Sequence, residues 1–153
     1  MIRKIIIVTL VLIVFTGCAG IQPIQKNKGN KVVCVLFKDT RFKTEVVGNL
    51  TKQLALKGYT VVTGSVKQAK YYNAADYAAV VYMAELWAWH TPFHAKKYFR
   101  KHNEANTIVF VITSGDPDVT ITKPFDAVTS ASAPDKVEPV AHEIMGKLSN
   151  MLK

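Results

Sequence analysis

Glycine is missing from the one turn where an α/β protein most often needs it. Residues 35–47, VLFKDTRFKTEVV, carry an apolar strand-like run through a short polar turn into a helix-like pattern, with no glycine. In many α/β proteins this first turn is a phosphate cradle: backbone N–H groups approach the anion, and glycine supplies unusual dihedrals without a side chain in the way. Acidic residues are scarce too. Eleven Asp and Glu stand against 20 Lys and Arg, a formal charge of +9. Such a balance favours anionic partners, lipid headgroups among them, but does not select nucleic acid. No arginine-rich arm, zinc-finger spacing or ribonucleoprotein motif is present, so nucleic acid is not an expected partner. The apolar run from Ile5 to Phe15, interrupted by Thr9, is too short to cross a bilayer, which takes about 20 apolar residues.

Catalytic patterns are equally thin. Ser114-Gly115 lacks the flanking Gly-x-Ser-x-Gly of a nucleophile elbow. Ser130 and Ser132 have no evident base nearby in the sequence. His90 and His94 are four apart, a spacing that suits a metal on one helix face, but Pro92 lies between them and no Cys or paired acid completes a set. No metal site is expected. His102 and His142 are isolated and read as helix-surface residues. Asp39, Glu85, Asp116 and Asp118 fall near one predicted sheet edge, yet supply only fragments of a receiver-type phosphoacceptor site. Asp116-Pro117-Asp118 reads as a turn. The balance leans against an enzyme.

What is present begins with the N-terminus. Met1-Ile2-Arg3-Lys4 is a basic head, and the apolar run behind it completes a secretory leader. Phe15-Thr16-Gly17-Cys18-Ala19 then resembles the lipobox of bacterial lipoproteins, with Phe15 in place of the usual Leu. The resemblance implies cleavage before Cys18, a diacylglyceryl thioether on its sulfur and acylation of its new amino group. Several acyl chains anchor durably, since each buried methylene contributes about 0.8 kcal/mol. The implied organisation is a signal peptide over 1–17, lipidated Cys18 with a flexible tether to residue 30, and a domain over 31–153. The implied location is the bacterial cell envelope, with the domain outside the cytoplasm on the periplasmic face or the cell surface. Without Arg3 and Lys4 the charge is +7. With Cys18 lipidated, Cys34 has no disulfide partner and reads as a small buried hydrophobe in its apolar run.

Beyond the tether, β-branched-rich runs at 31–37, 59–66, 76–83, 107–113 and 127–131 predict strands. Helical spacing predicts helices at 44–57, 92–102 and 137–152, the first ending at Gly58 and the second opening on Thr91-Pro92. This alternation predicts a parallel sheet covered on both faces. The order of elements, with the phrases ADYAAVVYMAELWAW and VFVITSGD, resembles flavodoxins. The resemblance implies a three-layer α/β flavodoxin-like fold, a doubly wound five-stranded parallel sheet in order 2-1-3-4-5. It also implies a ligand or partner edge at Asp39, Thr40, Arg41, Thr44, Trp87, Trp89, Ser114 and Gly115. In flavodoxins the first turn reads Ser/Thr-x-Thr-Gly-x-Thr around the flavin phosphate. Here Asp39 stands at the first hydroxyl, Phe42 at the glycine, and only Thr44 matches. Asp39 repels phosphate and Phe42 is expected to obstruct it, so no cofactor is expected, with FMN as the alternative.

Two surfaces are left with open readings. Trp87 and Trp89 either pack over the sheet edge or meet a planar ligand, a partner or lipid. Lys96, Lys97, Arg100 and Lys101, beside Phe93, Tyr98 and Phe99, form either a solvated helix face or one resting on anionic lipid or an acidic envelope protein. The expected function is binding or scaffolding by a membrane-anchored lipoprotein. The alternative is an FMN-dependent electron-transfer protein or small reductase.

Overall fold

The computed structural model describes residues 29–87, 90–102, 106–116, 118 and 127–152. The leader, Cys18, most of the tether and Trp89 lie outside these residues. Strand β1 (Gly29–Phe37) is followed by α1 (Arg41–Leu56) and β2 (Thr60–Ser65). Two 3-10 turns, Val66–Tyr71 and Ala74–Asp76, lead to β3 (Tyr77–Glu85) and α2 (Phe93–His102). Then come β4 (Ile108–Ser114), β5 (Ala127–Ala131), a 3-10 turn at Pro134–Lys136 and α3 (Val137–Ser149). The sheet order is β2-β1-β3-β4-β5, with every pairing parallel. The predicted fold class is what the chain adopts.

Period-two alternation divides the strands between two cores. Val33, Val35, Val81, Met83, Val109, Val111 and Val128 face α1 and α3. Cys34, Leu36, Val80, Tyr82, Phe110 and Ile112 face the 3-10 turns and α2. Burial pushes the Cys34 thiol up to about 12, so it is inert packing.

Three local expectations need correction. β1 starts at Gly29, where Gly29 pairs with Tyr77, so the strand takes the last two residues assigned to the tether. α1 starts at Arg41 rather than residue 44, because Thr40 is its N-cap and its hydroxyl accepts from the Lys43 N–H at 3.4 Å. His102 is buried, not on the helix surface: Ala95, Tyr98 and His102 share the face of α2 that meets the sheet. Gly58 ends α1 as predicted, with φ of 79° and its N–H donating to the Ala55 carbonyl. No helix among the described residues is long and apolar enough to cross a membrane.

Beneath α2 lies an aromatic cluster in which the Tyr82 ring sits 5.0 Å from Tyr98 and 5.6 Å from Phe110. Tyr98 donates its hydroxyl to the Tyr72 carbonyl at 3.1 Å. The Tyr82 hydroxyl is buried with no hydrogen-bond partner among the described residues, and burial holds its pKa well above the usual tyrosine range. An unpaired buried hydroxyl costs about 1–3 kcal/mol of desolvation. Tyr82→Phe is therefore expected to leave stability unchanged or raise it by up to about 1 kcal/mol, whereas a hydroxyl with a hidden partner would make it destabilising in urea unfolding.

Candidate functional site

In an open α/β sheet, ligands bind at the carboxyl ends of the strands where the order reverses, here between β1 and β3. The side chains at this point come from three places. Lys38 follows β1, Lys43 lies in the first turn of α1, and Glu85 ends β3. The Glu85 carboxylate accepts from Lys43 Nζ at 2.9 Å through one oxygen and from Lys38 Nζ at 3.2 Å through the other. Lys43 has only 1% of its side chain exposed, against 40% for Glu85 and 61% for Lys38. Burial pulls the Lys43 ammonium below the usual lysine range, partly opposed by its hydrogen bond to Glu85. Burial alone pushes Glu85 upward, but hydrogen bonds and charge from the two lysines outweigh it and hold the carboxylate below its usual range. A lysine–carboxylate–lysine bridge thus spans the crevice.

The mouth of α1 is closed by a second set of contacts. Thr44 donates its hydroxyl to Asp39 at 2.8 Å, and Arg41 pairs with Glu45 at 3.0 Å. Asp39 and Thr44 border a small hollow of about 420 Å³ against Thr63 and Ser65 of β2. A phosphate there would meet the Asp39 carboxylate, with Thr40 already capping the Lys43 N–H and Thr44 already donating to Asp39. The residues do not fit a flavin phosphate. The expectation about Phe42 needs correction: it is buried in the α1–α3 core and does not obstruct the turn.

A larger cleft, of about 1260 Å³, opens on the α2 side of the bridge. Met83, Ala84 and Val66 line it with apolar surface, and Lys38, Glu85, Lys67, Lys96, His90 and His94 add charge and polarity. Trp87 and Phe93 stand on its border, 82% and 72% exposed. Trp87 is therefore not packed over the sheet edge. Its backbone is held by reciprocal hydrogen bonds with His90, at 3.2 and 2.8 Å.

The remaining expected site residues separate. Ser114 accepts from the Asp116 N–H at 3.0 Å, and Asp116 accepts from the Asp118 N–H at 2.9 Å, a local turn beside exposed Gly115. Asp39, Glu85 and this turn each have their own partners instead of converging. Among the described residues no group of three or more His, Cys, Asp or Glu is placed to hold a metal. The expected basic set also divides. Lys97, Arg100 and Lys101 are exposed, whereas Lys96 is half-buried and borders the cleft.

The Lys43–Glu85 pair is absent from the sequence expectations, although a signal was available. Lys43 falls four residues before Val47 and seven before Leu50, on the same buried stripe of α1. A lysine on an apolar stripe needs an acid opposite.

No protein-family model matches the chain, and no curated protein does. Solved structures do. Flavodoxin 2 from Bacillus cereus superposes with a TM-score of 0.52 at 9% identity, covering 77% of this chain and 98% of that one. A flavodoxin from the domain Archaea gives 0.53 at 8% identity, covering 78% and 98%. A flavo di-iron protein mutant from Thermotoga maritima gives 0.54 at 12% identity and covers 84% of this chain, which spans only 38% of that protein's length. At such identities the likeness concerns architecture alone: the chain has a flavodoxin-like fold.

Proposed function

We propose that this chain is a bacterial envelope lipoprotein, anchored through Cys18, whose flavodoxin-like domain serves binding or scaffolding without a flavin. One observation carries the reading. The place where the fold would grip a phosphate holds the chain's own Asp39–Thr44 contact and the Lys38–Glu85–Lys43 bridge. Internal charge pairing there supports a structural role for groups that a cofactor would otherwise engage. The leader and the Phe15–Cys18 motif support the anchor. Binding then falls to the cleft border and the outer face of α2, the surfaces that internal contacts leave open.

The runner-up is an FMN-binding electron-transfer protein or small reductase, kept in view by flavodoxins among the similar structures. Titrating the purified chain into FMN separates the two. No quenching of flavin fluorescence at micromolar protein is expected, and saturable quenching in that range would overturn the cofactor-free reading. Mass spectrometry of the N-terminal peptide from membranes tests the anchor independently. A diacylglyceryl-modified Cys18 is expected, and an unmodified thiol would refute lipidation.

A further inference from the structure

We infer that the border formed by Trp87, Phe93, Lys97, Arg100 and Lys101 is a membrane-docking face that lays α2 against an anionic bilayer. The argument begins with α2 itself. Its sequence FHAKKYFRKH contains no acid. Ala95, Tyr98 and His102 bury one side, which turns Phe93, Lys97 and Arg100 onto the opposite ridge at spacings of four and three, with Lys101 alongside. Phe93 and Trp87 are 72% and 82% exposed and share one border of the cleft, an aromatic patch unlike the singly exposed Leu56 and Tyr71, while Tyr98 on α2 is buried and Phe99 partly buried. At a bilayer surface both features have a use: aromatic rings enter the headgroup boundary, and lysine and arginine lie flat with their charges on lipid phosphates.

Topology makes the pose reachable. In the parallel sheet α2 must run back from the carboxyl edge, after β3, to the amino edge, before β4. Its cationic end therefore lies at the same edge as Gly29, where the chain enters the domain. Residues 19–28 span at most about 35 Å between Cys18 and that edge. An anchor on Cys18 would hold α2 near the lipid at high local concentration, so weak docking suffices. This step rests on the lipoprotein reading; the charge and aromatic geometry does not.

The chain has two tryptophans, at positions 87 and 89, so emission excited selectively from tryptophan over the six tyrosines reports these two positions. The test uses the full lipidated chain in phosphatidylcholine vesicles, with and without phosphatidylglycerol, and brominated lipids as quenchers. Blue-shifted emission quenched by the bromines is expected in the anionic vesicles and should weaken as salt screens the contact. A Lys97→Glu, Arg100→Glu, Lys101→Glu variant removes three cations, each shifting docking roughly fivefold near an anionic surface, and so lowers the docked-to-free ratio at least on the order of a hundredfold. All three are exposed, and unchanged circular dichroism would establish that the variant folds. Solvent-like emission in anionic vesicles, or equal quenching of the variant, overturns the inference. Loss of the Cys18 modification by mass with quenching intact would refute the anchor and leave the docking face standing.

Discussion

Glu85→Ala is expected to destabilise the domain by about 3–5 kcal/mol, because it leaves a buried lysine without its counter-charge. Lys43 has 1% of its side chain exposed and gives its ammonium to Glu85 at 2.9 Å. Removing the other partner is a smaller change. In Lys43→Met the Glu85 carboxylate stays 40% exposed and keeps Lys38 at 3.2 Å, so the loss should stay below about 1 kcal/mol. The double variant should recover most of what Glu85→Ala loses, since no charge is then stranded. Urea unfolding of the four proteins measures the cycle. Equal costs for the two single variants would show that the pair is a surface ion pair.

The pH dependence follows from the same two groups. Glu85 has a depressed pKa in the folded state, so its contribution is present above the ordinary carboxylate pKa and is lost as pH falls through the depressed value. Acid should therefore narrow the gap between the native protein and Glu85→Ala. Lys43 is also depressed, by burial, so in its titration range the unfolded chain binds more protons and stability gains with rising pH. Without Glu85 that depression deepens. The deficit of Glu85→Ala should therefore also shrink in alkali, as the stranded ammonium becomes a neutral amine.

Gly64→Ala is the second large effect, expected at about 1–3 kcal/mol from overpacking. A Cβ at Gly64 would stand 2.6 Å from two atoms of the Tyr72 side chain and 3.0 Å from Leu36 Cδ2. Tyr72 is 5% exposed, packs against Tyr77 and supplies the carbonyl that accepts from Tyr98. Its ring cannot simply swing into solvent. Gly64 thus serves close approach of the ring, not a special backbone angle. Adding Tyr72→Leu should relieve part of the Gly64→Ala cost, so the double variant should be less destabilised than the sum of the two singles. Strict additivity in urea unfolding would remove Tyr72 as the cause.

How much of this was legible beforehand depends on the range of the interaction. The β-branched runs, the helical stripes, Gly58 and the alternation of strands with helices are written locally, in periods of two and 3.6 residues. They predict a parallel sheet covered on both faces; the order 2-1-3-4-5 and the unusual character of the KDTRFKT turn came from the resemblance to flavodoxins. Boundaries near that turn were misjudged because Thr40 is both a polar turn residue and a helix cap. Phe42 was misassigned for the same reason: in a turn it would project outward, but one turn into α1 it enters the core. His102 went wrong through its neighbours, since a cationic helix end looks solvated until the third residue of its buried stripe is counted.

The sequence by itself determined the basic balance, the order of elements and the absence of glycine from the first turn. Those are properties of neighbouring residues and of composition. Only the tertiary structure decided that Lys43 and Glu85, 42 positions apart, meet across the switch point, that Tyr72 closes over Gly64, and that Trp87 and Phe93 share an exposed border with the cleft. The physical reason is that charge pairing and steric contact depend on distance in space, and only the packing of β1 against β3, with helices folded back over them, sets those distances.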